Sequence, residues 1–223
     1  MVNQIIHGDC FEEIKKLPDN SVDLIITDPP YMMDSEGGGG CFGSKKRIYR
    51  KDMANAKLND SYDMDIFKEF VRVLKKVNIY IFCNKNQIAS IASWFKDYNV
   101  DLLVYHKQNP IPTVNNKYLS DLEYIFFIRE EGVELFGGYH SKSKLFSSKI
   151  TKREFDHPTI KPLALIKKFV QNSSKEGDVV FDPFLGSGTT ALAAKMIKRK
   201  YIGMEINKDF YDIAIKRLQQ QTL

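Results

Sequence analysis

Four consecutive residues, Asp28-Pro29-Pro30-Tyr31, place a carboxylate, a carbonyl in a stiff turn and an aromatic ring side by side. They follow the apolar run 22–26, and the two prolines prevent the chain from continuing as a helix or a central strand. The carboxylate and the Pro29 carbonyl can accept hydrogen bonds from an exocyclic amino group, and the Tyr31 ring can stack on a base. The pattern favours a site for a planar amino-substituted ring, although an ordinary proline turn with a capping aspartate explains these residues equally well.

A second segment, residues 179–194, combines a strand, a glycine-rich turn and a helix. Its glycines let the backbone approach a ligand closely, and a helix N-terminus favours negative charge. The turn lacks the three-glycine dinucleotide pattern and the Gly-Lys-Ser/Thr end of a P-loop, which disfavours NAD and ATP. About 20 residues further on, Glu205 stands at a strand end, where nucleotide-type folds place a carboxylate on ribose hydroxyls. A merely solvated glutamate is the alternative.

A third pattern, His157-Pro158-Thr159-Ile160-Lys161-Pro162, precedes a helical stretch. Pro162 suits a first helical position. Lys161 and the Thr159 hydroxyl can hold an anion such as a carboxylate. Taken alone, however, the pattern is better explained as a helix start than as a site.

Strand-like and helix-like patterns alternate along the chain that positions these residues. Apolar runs rich in β-branched and aromatic residues predict strands at 4–6, 22–26, 77–82, 100–105, 124–128, 179–181 and 201–204. Apolar spacing predicts helices over 62–76, 88–95, 163–170 and 191–194, and a last helix capped by Asn207. This alternation indicates an α/β protein with a mostly parallel sheet. Residues 33–60, 107–121 and 132–161 are polar and irregular, which is typical of functional or mobile loops.

The net charge of +5 is concentrated in two of these irregular segments. Residues 41–57 contain six basic residues against one acidic, and residues 137–161 contain six against two. Such runs are either solvated loops or loops that face phosphates. The candidates for phosphate contact within them are Lys45, Lys46, Arg47, Arg50, Lys51, Lys142, Lys144, Lys149, Lys152 and Arg153.

The composition restricts the class of protein further. Hydrophobic residues make up 43% of the 223, which suffices for a core and excludes wholesale disorder. No apolar run approaches the roughly 20 residues that span a bilayer, and no signal peptide is evident. Cys10, Cys41 and Cys83 lack Cys-x-x-Cys spacing, which argues against disulfides or a zinc ribbon and for a reducing compartment.

Jointly, the patterns resemble the beta class of N6-adenine DNA methyltransferases, in which Asp-Pro-Pro-Tyr precedes the cofactor loop Asp-Pro-Phe-x-Gly-Ser-Gly-Thr-Thr. The family's His-Pro-Thr-x-Lys-Pro also lies just before that loop here. The segment His7-Gly8-Asp9-Cys10 is similar to the strand end that contacts the cofactor adenine. The segment from Tyr105 to Pro112 resembles the family's Trp-x-Lys-x-Asn-x-x-Pro, with Tyr in place of Trp. Met32 stands where many members have Asn.

The resemblance implies a seven-stranded, mostly parallel Rossmann-like methyltransferase sheet with permuted motif order, in a single domain covering residues 1–223. The segments 33–60 and 107–155 would be small, loop-rich and mobile, and would contact DNA.

The implied cofactor is S-adenosylmethionine, and no metal is expected. The resemblance implies that Glu205 binds its ribose, that Asp9 binds its adenine amino group, and that Lys161 and Thr189 hold its carboxylate. It assigns catalysis to Asp28, Pro29, Pro30 and Tyr31. The full implied cofactor set is Asp9, Cys10, Asp28, His157, Thr159, Lys161, Asp182, Phe184, Gly186, Ser187, Gly188, Thr189, Thr190 and Glu205.

Several alternatives remain open at the level of sequence. N4-cytosine methylation uses the same scaffold, although those relatives more often have Ser where Asp28 stands. Relatives that methylate RNA or protein glutamine more often have Asn there, and a catalytically inactive paralogue would only bind DNA. The implied partner is double-stranded DNA. The resemblance is also compatible with a homodimer, a cognate restriction endonuclease and a cytoplasmic location for a bacterial or phage-encoded protein.

Overall fold

The computed structural model describes residues 2–29, 65–110, 112, 118–150 and 160–220. Its strands are β1 (Gln4–His7), β2 (Leu24–Thr27), β3 (Asn78–Cys83), β4 (Asn99–Lys107), β5 (Leu122–Arg129), β6 (Leu145–Ser148), β7 (Val179–Asp182) and β8 (Lys200–Glu205). Its helices are α1 (Cys10–Glu13), α2 (Ile66–Val73), α3 (Ile88–Trp94), α4 (Leu163–Ser173), α5 (Thr189–Met196) and α6 (Lys208–Gln220). Short 3-10 turns occupy Ile14–Lys16 and Tyr139–Lys142.

The strands form one sheet in the order β1-β8-β7-β2-β3-β5-β4-β6. The first five of these are parallel, β5 runs antiparallel to both of its neighbours, and β6 is parallel to β4. The N-terminal strand β1 therefore pairs with the C-terminal strand β8, which confirms the permuted order. Because β5 is reversed, its first residues lie at the edge where the parallel strands end.

In the described part of the chain the sheet has eight strands, one more than the seven expected, and the additional strand is the edge strand β6. It lies in a segment that the sequence indicates to be irregular. Its four residues alternate between exposed and half-buried, and two of them are serines. Such a short, polar edge strand has no continuous apolar run, so only its pairing with β4 reveals it.

Helices cover both faces of the sheet and make a three-layer domain. On one face, α1, α2 and α3 pack on apolar side chains of the central strands, including Ile25, Ile79 and Phe181. On the other face, α4 and α5 pack on Tyr80, Phe127 and Val180, and α6 closes the end near β1. All four residues of β2 and all six of β3 are buried, as central strands in such a domain must be.

Helix ends follow local chemistry. Asn207 caps α6, because its side-chain oxygen accepts from the backbone N–H groups of Asp209 and Phe210, which confirms the predicted start. The predicted helix over 62–76 ends earlier, at Val73. Leu74 is extended there and forms a β-bridge with Val22.

Two further sequence expectations concern side chains and surface. Cys10 and Cys83 are free thiols in the described part of the chain, and both are buried. No helix among the described residues is long and apolar enough to cross a membrane.

An aromatic stack joins the central strands to α4. The ring of Tyr80 lies between those of Phe127 and Phe169, with centroid-to-centroid distances of 4.4 and 4.2 Å. The ring planes of both pairs are nearly parallel. The Tyr80 hydroxyl is 2.8 Å from the Ser173 hydroxyl, so its polar end is satisfied inside the core. The stack fixes α4 to the sheet just after the segment that contains Lys161.

We predict that Phe169→Ala destabilises the fold by about 3–5 kcal/mol, because it leaves a cavity on the face of Tyr80. Tyr80→Phe keeps the stack and removes only a hydrogen bond, so it should cost about 1 kcal/mol. Urea unfolding followed by circular dichroism measures both. Equal losses for the two variants would contradict a role of the stack in anchoring α4.

Candidate active site

Four carboxylates lie in a row at one edge of the sheet, each at the end of a parallel strand. They are Asp9 after β1, Glu205 at the end of β8, Asp182 at the end of β7 and Asp28 just after β2, and these strands are consecutive in the sheet. The carboxyl ends of parallel strands are where α/β proteins bind ligands. The sheet thus brings together residues that are far apart in sequence, as the motifs predicted.

The Glu205 carboxylate is buried, with 9% of the residue exposed, and is oriented by two backbone groups. Its Oε2 accepts from the Gly186 N–H at 2.7 Å, and its Oε1 accepts from the Asn207 N–H at 2.8 Å. Burial raises the pKa of Glu205, and these hydrogen bonds oppose that effect. Each oxygen keeps acceptor capacity, so the carboxylate is suited to hydroxyl donors.

The glycine-rich turn between β7 and α5 is built around Asp182. The Asp182 carboxyl accepts from the Phe184 N–H at 3.1 Å and hydrogen-bonds with the Thr190 hydroxyl. Gly188 has φ +85°, and a Cβ there would lie 2.8 Å from the Cβ of Ala214 on α6, so glycine is required twice over. Asp182 is 5% exposed, and the structure shows it supporting the turn from beneath.

Arg217 of α6 also supports this turn, and sequence analysis did not identify it. Its Nη1 donates to the Ser187 carbonyl at 2.6 Å, to the Ser187 hydroxyl at 3.0 Å and to the Thr189 hydroxyl at 3.1 Å. The only sequence signal is an arginine next to Leu218 on the apolar side of α6. The hydroxyls of Ser187 and Thr189, both predicted to bind cofactor, are thus engaged by Arg217.

Lys161 lies between two carboxylates from different strands. Its Nζ is 2.7 Å from Asp28 Oδ2 and 3.1 Å from Glu123 Oε2. It also lies 4.8 Å from the centre of the Phe82 ring on β3, the strand between β2 and β5. The predicted contact of Lys161 and Thr189 with one cofactor carboxylate stays a prediction. In the structure the Lys161 ammonium faces Asp28 and Glu123, and the Thr189 hydroxyl accepts from Arg217.

Glu123 and Lys107 extend this arrangement, and sequence analysis gave neither a role. Lys107 Nζ is 2.7 Å from Glu123 Oε1. Burial alone would raise the pKa of Glu123, but Lys161 and Lys107 outweigh that effect and hold the pKa below its ordinary value. A charge-bearing Glu at the start of an apolar strand is the one signal that could have indicated it.

The segment after β1 has a structural role of its own. Asp9 is exposed and caps α1, because its Oδ1 accepts from the Phe11 N–H at 2.9 Å. Cys10 is 5% exposed, and burial raises the pKa of its thiol, so the thiol is neutral. The rings of Phe11, which follows this segment, and Phe184, in the glycine-rich turn, pack edge to face with their centroids 6.3 Å apart. The cofactor contacts of Asp9 and Cys10 stay predictions.

Several predicted site residues lie outside the described residues. These are Pro30, Tyr31, Lys45, Lys46, Arg47, Arg50, Lys51, Lys152, Arg153, His157 and Thr159.

The described basic residues of the second cluster are divided between the two edges of the sheet. Lys149 follows β6 directly and is exposed at the edge that contains Asp28. Lys142 and Lys144 precede β6, towards the opposite edge, and Lys144 pairs with Asp101. Among these three, the position of Lys149 agrees best with DNA contact near Asp28.

Buried Asp182 predicts an unusual pH dependence of stability. Burial, with a smaller effect from the charge of Asp28, raises the pKa of Asp182 to about 7. The folded state therefore retains a proton that the unfolded state releases near pH 4, so Asp182 lowers the free energy of unfolding progressively as pH rises from about 4 to 7. Asp182→Asn removes this loss and should raise the melting temperature more at pH 8 than at pH 5.

Thermal unfolding without ligand at the two pH values measures this effect. Asp97→Asn, which removes an exposed carboxylate, is the matched control. The same change in melting temperature at both pH values would contradict the assignment.

Comparison with known proteins agrees with this arrangement. The chain is 31% identical to the Type II methyltransferase M.HinfI of Haemophilus influenzae, over 98% of this chain and 69% of that protein. It is 28% identical to the Type II methyltransferase M2.DpnII of Streptococcus pneumoniae, over 97% of this chain and 90% of the relative.

Solved structures show the same fold. The complex of M1.HpyAVI with S-adenosylmethionine superposes with a TM-score of 0.72 at 28% identity, covering 96% of this chain and 99% of that chain. The PvuII DNA methyltransferase, described as cytosine-N4-specific, gives a TM-score of 0.74 at 16% identity, covering 100% of this chain and 88% of that chain. At that identity the second likeness shows the fold alone.

The residues present fit S-adenosylmethionine. Glu205 offers a buried, oriented carboxylate for ribose hydroxyls beside a turn whose glycines admit close backbone approach. The family model N6_N4_Mtase, described as DNA methylase, matches residues 22–216. This match and the relatives agree with the row of carboxylates at the strand ends. The chain therefore belongs to the DNA methylase family and is a beta-class, S-adenosylmethionine-dependent DNA methyltransferase.

Proposed function

We propose that this protein transfers a methyl group to the exocyclic N6 of an adenine within a specific sequence of double-stranded DNA. The observation that supports this most directly is the position of Asp28. Its carboxylate lies just beyond β2, which is next to β7 and one strand further from β8, and its side chain is 24% exposed. It is thus next to the proposed cofactor residues at the ends of β7 and β8 and still accessible to a substrate base.

The chemistry of adenine explains why such a carboxylate is needed. The lone pair of the amino nitrogen is delocalised into the ring, which makes the nitrogen a poor nucleophile. Asp28 and the carbonyl of Pro29 accept hydrogen bonds from the two amino hydrogens and draw the nitrogen towards tetrahedral geometry. When bound, S-adenosylmethionine supplies a methyl group activated by a sulfonium. Asp28 and Pro29 contribute positioning and electrostatic stabilisation at the amino nitrogen.

Access to the base requires that it leave the duplex. The target nitrogen is unreachable in stacked DNA, so the adenine is flipped out at a cost of a few kcal/mol. Stacking on Tyr31 would return about 1–3 kcal/mol per base. A residue outside the described range thus completes the proposed base pocket with Asp28.

The proposed cofactor contacts follow the row of carboxylates. Glu205 accepts from the ribose hydroxyls, and Asp9 accepts from the adenine amino group. The backbone at Gly186 and Gly188 passes along the methionine part. Contacts from the remaining members of the predicted set, His157 and Thr159 included, are part of the same proposal.

The methylated base is the point on which related enzymes differ. Asp28 favours adenine, since N4-cytosine relatives more often have Ser at that position, and the likeness to a cytosine-specific enzyme shows the fold alone. Further parts of the proposal are a homodimer, a cognate restriction endonuclease and a cytoplasmic location. The Type II methyltransferases among the relatives motivate the endonuclease partner.

We predict that Asp28→Ala reduces methyl transfer to DNA to background and leaves the affinity for S-adenosylmethionine within a few-fold of the wild-type value. Loss of the carboxylate removes an acceptor at the amino group, while Glu205 and the turn are untouched. Transfer of tritiated methyl groups to DNA measures activity, and calorimetry measures cofactor binding.

Digestion of the wild-type product to nucleosides identifies the base. N6-methyladenine is the expected product, whereas N4-methylcytosine would contradict the proposed specificity. Full activity of Asp28→Ala would contradict the catalytic assignment. Absence of cofactor binding by the wild-type protein would instead favour an inactive DNA-binding paralogue.

We also predict that neutralising Lys45, Lys46 and Arg47 together weakens DNA binding and flattens its salt dependence. Each lost phosphate contact should lower the slope of log affinity against log salt by about 0.9. Lys149→Ala should lower it by about 0.9 by itself, because that lysine lies at the catalytic edge. Fluorescence anisotropy with labelled duplex DNA at several salt concentrations measures the slopes.

Lys96→Ala is the charge-matched control for these variants. Lys96 is exposed just before β4, at the opposite edge of the sheet. Its slope should equal that of the wild-type protein. If the basic-cluster variants give that same slope, these residues are ordinary solvated loop residues.

A further inference from the structure

Four side chains of alternating charge form a row of ion pairs at the edge of the sheet where Asp28 lies. Lys107 contacts Glu123, Glu123 contacts Lys161, and Lys161 contacts Asp28, with N–O distances of 2.7, 3.1 and 2.7 Å. They come from the end of β4, the start of β5, the segment before α4 and the end of β2. The reversed direction of β5 is what brings Glu123 to the edge where β2 and β4 end.

These charges are largely removed from water. The exposed fractions of the side chains are 10% for Lys161, 19% for Glu123, 20% for Lys107 and 24% for Asp28. Charges that are this buried need partners, because desolvation is costly and an unpaired member would be strongly unfavourable. Each interior member of the chain has two partners of opposite sign, so no one pair is isolated.

Glu123 is one of the groups that hold Lys161 in place. A lysine side chain is long and flexible, so the position of its ammonium depends on the partners around it. Glu123 draws the ammonium towards β5, and the Phe82 ring lies beneath it at 4.8 Å. The ammonium therefore lies near β3, between β2 and β5, and is shared between Asp28 Oδ2 and Glu123 Oε2.

We propose that Glu123 is a positioning residue for methyl transfer, which acts through Lys161 to orient the catalytic carboxylate of Asp28. Sharing the ammonium leaves Asp28 an effective acceptor for the amino group, because Lys161 neutralises it only in part. Lys107 pairs with the other carboxylate oxygen of Glu123, Oε1. This inference rests on the proposed function, since it requires Asp28 to be the group that contacts the substrate amino nitrogen.

Glu123→Gln, made in the full chain, tests this role. We expect kcat to fall about 10- to 100-fold, the range typical of a misplaced catalytic group. The Kd for S-adenosylmethionine and the KM for DNA should stay within about two-fold. Rates are expressed per cofactor-binding site measured by calorimetry, so a partly unfolded preparation does not imitate the effect. Glu123→Asp should recover part of the lost kcat, and Glu134→Gln, at an exposed glutamate paired with Lys175, is the control.

The split between kcat and KM separates positioning from a purely structural role. Removing the negative charge of Glu123 changes how the Lys161 ammonium is shared with Asp28, so kcat should fall while the KM for DNA does not change. Lys107→Gln should also lower kcat, because Glu123 then draws Lys161 away from Asp28. Asp182 and Cys83 also interact with Asp28, but neither changes in these variants.

The outcomes distinguish this inference from the proposed function. Wild-type kcat in Glu123→Gln would overturn the positioning role, as would a loss explained entirely by fewer cofactor-binding sites. If Asp28→Ala is inactive in the same assay, only the positioning role fails. If Asp28→Ala is active, the proposed function fails.

Discussion

The ammonium of Lys161, held between the carboxylates of Asp28 and Glu123, is the interaction on which the catalytic edge depends. It links β2, which ends just before Asp28, to β5, the reversed strand among those that the structure describes. In a site this buried, each charge needs a partner, and removing either carboxylate would leave Lys161 paired with the other. The same contact places Lys161 beside Asp28, the proposed catalytic carboxylate.

The remaining site follows from the parallel order of the strands. Four neighbouring strands each end in or next to a carboxylate, and each carboxylate has a different environment. Glu205 is oriented by two backbone N–H groups, Asp182 is buried beneath the turn, Asp9 caps a helix in solvent, and Asp28 pairs with a lysine. These environments separate the roles of chemically similar groups, because burial, hydrogen bonds and nearby charges act differently on each.

Much of the fold could be predicted from the sequence. The buried strands β2, β3 and β7 appear as continuous apolar runs, and helix α6 begins at the predicted Asn207 cap. The edge strand β6 could not be predicted, because its stability comes from pairing with β4 and its sequence is short and polar. Helix α2 ends early for a similar reason, since the bridge between Leu74 and Val22 competes with helical periodicity.

The sequence by itself determined the chemistry available to this protein: Asp28 with its prolines, the glycine-rich turn and the carboxylate of Glu205, all identified from residue types and local spacing. The tertiary structure alone decided their partners. Arg217 reaches the turn from 28 to 30 residues away, and Glu123 reaches Lys161 from a different strand. Motif patterns report only neighbours along the chain, whereas ion pairs and hydrogen bonds between distant segments depend on strand order and direction. That is why the partners of Lys161 and Thr189 could be identified only from the fold.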